Sequence, residues 1–126
     1  NRVMEAMRLP KGTPDQQAER ARAIDAANRA AAEVPLQTAR LCLETIGLAE
    51  KAAELGNRNS ASDAGVAALA ARAGAEGAAL NVRINLAGIA DAGFKARASE
   101  EVAAIEADAR RRCEAVLARV AATINA

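Results

Sequence analysis

DAGVAALAARAGAEGAALNVRINLAGI, residues 63–89, has no proline and no aromatic residue, and alanine recurs at every turn as far as Ala79. Alanine loses no side-chain entropy in a helix and is the strongest helix former, so the run predicts one long helix. Val66, Leu69, Ala73, Leu80 and Ile84 fall at helical spacing and predict its apolar stripe. A second stripe of small residues and amides runs beside it: Gly74, Gly77, Asn81, Asn85 and Gly88. Glycine inside a helix costs about 1 kcal/mol relative to alanine, so these glycines need a reason. One reason is close crossing by a second helix, with the asparagines as interhelical glue. The other is room for a flat ligand, whose edge Asn81 and Asn85 would read with amide donors and acceptors. Taken alone, the stripe favours close packing.

Upstream of this helix lies Gly56-Asn57-Arg58-Asn59-Ser60-Ala61-Ser62-Asp63. Gly56 stops a preceding helix, and Ser60 and Ser62 are both candidates to cap the next. Asp63 falls in or near the first helical turn, where negative charge is favourable. It is also the one carboxylate in this polar cluster, so it is a weak candidate for a general acid or base. Further upstream, Thr13-Pro14-Asp15-Gln16 predicts a helix start with a complete capping box. That helix runs to about Glu33 and meets Val34-Pro35, where a kink or brief break is expected. It resumes to about Leu55. The first helix holds Val3, Met4 and Met7 and ends at Leu9-Pro10. Asn1 supplies neither a start methionine nor a recognised cap, so the chain is expected to enter in mid-helix with more sequence before it. After a turn at Ala90–Gly93, a last helix from about Phe94 or Ser99 carries Val102, Ile105, Ala109, Cys113, Val116, Val120 and Ile124 on one face. Arg110-Arg111-Arg112 inside it reads as a solvated face. Long helices joined by short turns predict an all-α antiparallel bundle, one helix kinked near Pro35, forming a single domain over residues 1–126.

Composition narrows the function. The 126 residues include 17 basic and 16 acidic ones, for a net charge of +1. With no basic block and a single aromatic residue, Phe94, nucleic acid is not an expected partner. No apolar run is long enough to span a bilayer and no signal peptide is visible, so a cytoplasmic protein is expected. Cys42 and Cys113 are isolated and read as small helical core residues in a reducing compartment. Without histidine or a cysteine pair, no metal site is expected. Alanine exceeds a quarter of the chain, which makes for a thin core. Part of the apolar surface is therefore expected to be buried against a partner. Arg8-Leu9-Pro10-Lys11-Gly12-Thr13 places a basic residue beside a rigid turn, either an anchor for an anionic tail or a simple exposed turn.

These segments together resemble the formiminotransferase-cyclodeaminase family, which includes stand-alone methenyltetrahydrofolate cyclohydrolases. The resemblance starts at Met7-Arg8-Leu9-Pro10-Lys11-Gly12-Thr13. It continues through Val34-Pro35-Leu36, Gly56-Asn57-Arg58-Asn59, Ser62-Asp63-Ala64-Gly65 and Ala79-Leu80-Asn81-Val82-Arg83-Ile84-Asn85-Leu86. The pieces stand in the family's order and cover nearly the whole chain, most weakly in the last helix. The resemblance implies the C-terminal part of an all-helical folate enzyme that works as a homodimer or larger assembly. The substrate would be a tetrahydrofolate derivative, with no metal or redox cofactor. Two reactions are implied. A cyclodeaminase closes 5-formimino-tetrahydrofolate to the 5,10-methenyl form and releases ammonia. A cyclohydrolase opens the methenyl bridge with water to the 10-formyl form. Both need proton transfer and a positioned substrate. By the same resemblance, Lys11, with Arg8 or Arg83, would pair with the glutamate tail. Asn57, Asn59, Asp63, Asn81 and Asn85 would line the pterin side, and the family's acid would lie upstream of Asn1. The competing expectation is a non-catalytic helical assembly protein, whose small-residue stripe serves helix contacts alone.

Overall fold

The computed structural model describes residues 1–126. Four helices, α1 (Arg2–Met7), α2 (Pro14–Leu55), α3 (Ala61–Leu86) and α4 (Ala92–Asn125), account for most of the chain, and a single 3-10 turn, Arg58–Ser60, precedes α3. The helix starts follow side-chain chemistry. Asn1 does cap α1: its Oδ1 accepts the Val3 N–H at 3.1 Å. The expectation of an uncapped start is thereby corrected, since an asparagine oxygen satisfies a free first-turn donor wherever the chain enters. The Thr13–Gln16 capping box opens α2 with both of its bonds formed.

The segment after α2 differs from expectation. Asn57 is the capping residue, its Oδ1 accepting from Asn59 N–H and Ser60 N–H at 2.9 and 3.2 Å. Ser60 holds the cap position of α3 without a side-chain cap bond, and Ser62 lies inside the helix. Asp91 starts α4 at Ala92, earlier than Phe94 or Ser99, because its Oδ1 accepts the Phe94 N–H at 2.9 Å.

α2 does not break at Pro35; it is continuous for 42 residues. Proline removes the N–H that the Ala31 carbonyl would accept. The structure supplies a substitute from another helix, because Asn85 Nδ2 of α3 donates to the Ala31 carbonyl at 3.0 Å. The sequence signals a break there, and a tertiary hydrogen bond removes the reason for one.

The core is built from small side chains. α3 lies against α2 on one flank and α4 on the other, and it buries Ala61, Ala64, Gly65, Ala68, Ala71, Ala75, Ala78, Ala79, Val82 and Leu86. Four of its larger residues point the other way: Val66, Leu69, Leu80 and Ile84 are 65, 48, 67 and 73 % exposed, while Val82 and Leu86 stay inside. The predicted stripe is therefore the outer face, and the buried face is mostly alanine. Helix separation depends on the side chains at the contact. An alanine face lets two neighbours approach α3 closely, and dispersion contacts then replace side-chain volume. On α4 the predicted face is buried from Val102 to Val120, while Ile124 is 49 % exposed. No polar or charged side chain is buried. Arg110–Arg112 do more than face solvent. Arg112 Nε donates to Glu50 of α2 at 3.0 Å, and Arg110 reaches Glu76 of α3 at 3.5 Å. No helix is long and apolar enough to cross a membrane.

Candidate functional site

The small-residue stripe of α3 resolves into two different surfaces. A Cβ built on Gly74 would come 2.8 Å from Cys42 Sγ, and one on Gly88 would come 2.7 Å from Asn28 Nδ2. Those glycines serve close approach of α2, and Asn28 also donates to the Gly88 carbonyl at 2.6 Å. A Cβ on Gly77 would meet nothing within 4 Å. Gly77 lies in an open groove of about 330 Å³ between α2 and α3. Val34, Pro35 and Thr38 line it from α2; Gly74, Gly77, Ala78, Asn81 and Asn85 line it from α3. Close packing thus accounts for Gly74 and Gly88, while Gly77 leaves open space.

The two amides in this groove are not equivalent. Asn85 is half-buried and gives one of its two amide N–H donors to Ala31, while its carbonyl oxygen makes no hydrogen bond within the chain. Asn81 is exposed and donates to the Gly77 carbonyl one turn back at 3.1 Å, a local bond that a ligand can displace. The Thr38 hydroxyl donates to the Val34 carbonyl at 3.1 Å. No titratable side chain lines the groove. It is equipped to orient a flat polar heterocycle, not to move its protons.

The other candidate residues stand elsewhere. Asn57, Asn59 and Asp63 are exposed around the turn between α2 and α3. The 18 residues from Asp63 to Asn81 span about 27 Å of helix at 1.5 Å per residue. Lys11 is exposed in the turn before α2, its carbonyl accepting from Gln17 Nε2 at 3.1 Å. It is about 30 Å along α2 from Pro35. Arg83 is held on the α4 side of α3 by Glu106, with Nη1 to Oε1 at 3.0 Å, away from the groove. The site residues named from sequence therefore form three separate groups within one chain. Missed entirely were the α2 lining residues Val34, Pro35 and Thr38. The available signal was Pro35 itself, because a proline inside a helix leaves a carbonyl four residues back in need of a donor.

A second cluster sits at the α3–α4 turn. Asp25 Oδ1 accepts the Ala90 N–H at 2.7 Å, and Arg29 bridges Asp25 and Asp91 at 2.7 and 3.1 Å. The Ala90 N–H, then Arg29, hold the Asp25 carboxyl below its ordinary range. Every group there is partnered, so the cluster ties the turn to α2.

The family model described as formiminotransferase-cyclodeaminase matches residues 1–104. The chain belongs to that family. A methenyltetrahydrofolate cyclohydrolase of Methylorubrum extorquens is 43 % identical over 98 % of this chain. Formimidoyltransferase-cyclodeaminases of Sus scrofa and Mus musculus are 35 and 34 % identical over 94 and 90 % of it. The chain spans 59 % of the length of the first relative and 22 and 21 % of the others. The matched segment takes in the turn at Lys11, the turn at Asn57–Asp63 and the whole groove, and it ends inside α4.

Proposed function

We propose that the groove between α2 and α3 holds the pterin end of a tetrahydrofolate derivative in a folate one-carbon enzyme. The observation that carries the reading is the open space at Gly77 beside the amides of Asn81 and Asn85, in a chain of the formiminotransferase-cyclodeaminase family. The fold fills neighbouring glycine positions with α2 side chains, and leaves this one clear. The leading reaction is hydrolysis of the 5,10-methenyl bridge, because the relative named methenyltetrahydrofolate cyclohydrolase shares 43 % identity over 98 % of the chain. Water adds to the methenyl carbon and gives up one proton. The bond from that carbon to N5 then breaks as N5 takes a proton and the new hydroxyl gives up its own to become the formyl C=O, leaving the 10-formyl product with one proton released overall. The cyclodeaminase reaction is the second reading, supported by the relatives that carry that name.

In this reading Asn81 and the Asn85 carbonyl oxygen orient the ring, and Val34 and Thr38 cover its edge. The groove supplies proximity and orientation, and general acid–base chemistry comes from a group outside its lining. Lys11 and the groove serve one ligand when an anionic tail runs the length of α2, or when a second copy brings its turn across. No metal or redox cofactor takes part, and the working form is a homodimer or larger assembly.

The test offers the protein 5,10-methenyl- and 5-formimino-tetrahydrofolate separately and follows methenyl absorbance. Accelerated loss means cyclohydrolase; appearance with ammonia release means cyclodeaminase. Asn81→Leu should abolish the acceleration and the heat protection by folate, which at a hundredfold excess over Kd is worth about 2.7 kcal/mol. Unchanged turnover and binding in Asn81→Leu would place the ligand elsewhere. No heat protection by any folate in the parent chain favours the assembly protein.

A further inference from the structure

Every polar side chain lining the α2–α3 groove turns a donor toward a helix backbone. Asn85 Nδ2 donates to the Ala31 carbonyl at 3.0 Å, Asn81 Nδ2 to the Gly77 carbonyl at 3.1 Å, and the Thr38 hydroxyl to the Val34 carbonyl at 3.1 Å. A carbonyl can only accept, so its chemistry fixes which end of each amide points at it. The two amide oxygens and the Thr38 oxygen accept no bond within the chain. No buried side-chain polar atom lacks a partner, so the unbonded oxygen of half-buried Asn85 opens to solvent. One N–H of each amide is left to a ligand, against every lone pair of all these oxygens. The groove is rich in acceptors and poor in donors.

Nothing charged in the lining opposes that polarity. The charges that flank it in sequence are paired: Glu33 with Arg40 at 2.7 Å, Arg40 with Glu101 at 2.6 Å, Glu76 with Arg72 at 3.1 Å, and Arg83 with Glu106. Asn85 stands in the last turn of α3, where free carbonyls give a helix its negative end. We propose that the groove is charge-selective, taking the cationic amidinium form of the one-carbon unit and rejecting its neutral carbonyl form. This inference rests on the function proposed above and adds the charge of the ligand. Both reactions considered there begin from such a cation. The methenyl bridge is an N–C–N amidinium of fixed charge, and the formimino group is an amidine that carries a proton near neutral pH. In hydrolysis the released proton takes the charge away, and the 10-formyl product presents a carbonyl oxygen to a lining of oxygens.

The cation is present before water adds and gone once the product forms. The groove therefore sorts substrate from product and sets affinity rather than the rate of the chemical step. Pro35 is a positioning residue in this arrangement, acting through Asn85. With no N–H at position 35, the Ala31 carbonyl draws the Asn85 Nδ2 and keeps the amide oxygen free. Alanine at position 35 supplies the missing backbone donor. It releases the Asn85 amide to turn, and the groove then offers a donor there as readily as an acceptor.

The test compares 5-formimino- with 5-formyl-tetrahydrofolate, which share a shape and differ by a charged nitrogen donor against a neutral oxygen at one atom. Isothermal titration at low temperature reads both dissociation constants, and any turnover appears as steady heat apart from the binding heat. The formimino ligand should bind tighter by on the order of tenfold to a hundredfold, since charge-assisted hydrogen bonds are about twice as strong as neutral ones and the formyl oxygen brings no donor. Asn81→Asp, which puts a carboxylate in the lining, should widen the ratio by roughly threefold to fivefold. Pro35→Ala should narrow it by roughly threefold to tenfold, whereas a merely structural effect of Pro35 would shift both ligands alike. Equal affinities, tighter binding of the formyl ligand, or a ratio unmoved in either variant overturns the inference and leaves a folate groove indifferent to charge. A parent chain that binds neither ligand refutes the folate reading, and this inference with it.

Discussion

Replacing Asn85 with alanine should cost stability only while Pro35 is present. Pro35 has no N–H, so the Ala31 carbonyl lacks its helical donor, and Asn85 Nδ2 stands in at 3.0 Å. Removing a partner from a buried acceptor costs about 1–3 kcal/mol. The Ala31 site is half-buried, so about 1–2 kcal/mol is expected for Asn85→Ala. Pro35→Ala restores the donor within α2. It should itself stabilise, since proline in a helix interior is about 3 kcal/mol worse than alanine, offset by about 0.4–1 kcal/mol from the freer unfolded chain. In the Pro35→Ala background, Asn85→Ala then loses only contact area and should cost about 0.5 kcal/mol or less. The coupling between the two positions is thus about 1 kcal/mol, large enough to resolve in a double-mutant cycle. Urea unfolding of the four proteins, followed by far-UV circular dichroism, measures it. Equal costs of Asn85→Ala in both backgrounds would refute the account of how α2 passes through its proline.

The two groove glycines should respond oppositely to alanine. Gly77→Ala should stabilise by about 1 kcal/mol, because nothing lies within 4 Å of the new Cβ. It should also weaken folate protection if that space holds the ligand. Gly74→Ala should forfeit the same gain to the 2.8 Å approach of Cys42 Sγ, and Cys42→Ala should recover it; both are read as shifts in urea midpoint. Acid should destabilise in one direction only. Arg112 holds Glu50 below its ordinary range, Arg40 holds Glu101, and the Phe94 N–H holds Asp91. Below the unfolded pKa the unfolded chain binds more protons, so stability is full above the ordinary value of 4.5 for the glutamates and falls as pH drops through their lowered values. With no histidine, Tm should stay flat between about pH 6 and 8. A midpoint that moves in that window would point to a titrating group outside these ion pairs.

Some of this was readable residue by residue. The capping box at Thr13 needs only four consecutive residues, and both bonds form as its chemistry requires. The α4 face from Val102 to Val120 was legible because its contrast between large apolar and charged residues is strong. On α3 the same reasoning inverted the helix. Pattern reading ranks faces by side-chain hydrophobicity and so chose Val66, Leu69, Leu80 and Ile84. Burial went mostly to alanines, because two helices approach α3 at once and small residues admit both along most of its length. The candidate site was half legible. Asn81 and Asn85 fall on one face by spacing alone, whereas Val34 and Thr38 come from a helix remote in sequence.

Sequence by itself determined the succession of helices, the Thr13–Gln16 capping box, the family resemblance and the amide-bearing stripe, because all of these depend on neighbours within a turn or on residue order. Tertiary structure decided which face of α3 is inside, why α2 continues through Pro35, and which glycine opens onto space. Each depends on how near one helix comes to another. That distance is set jointly by the small residues of both, so neither segment carries it alone.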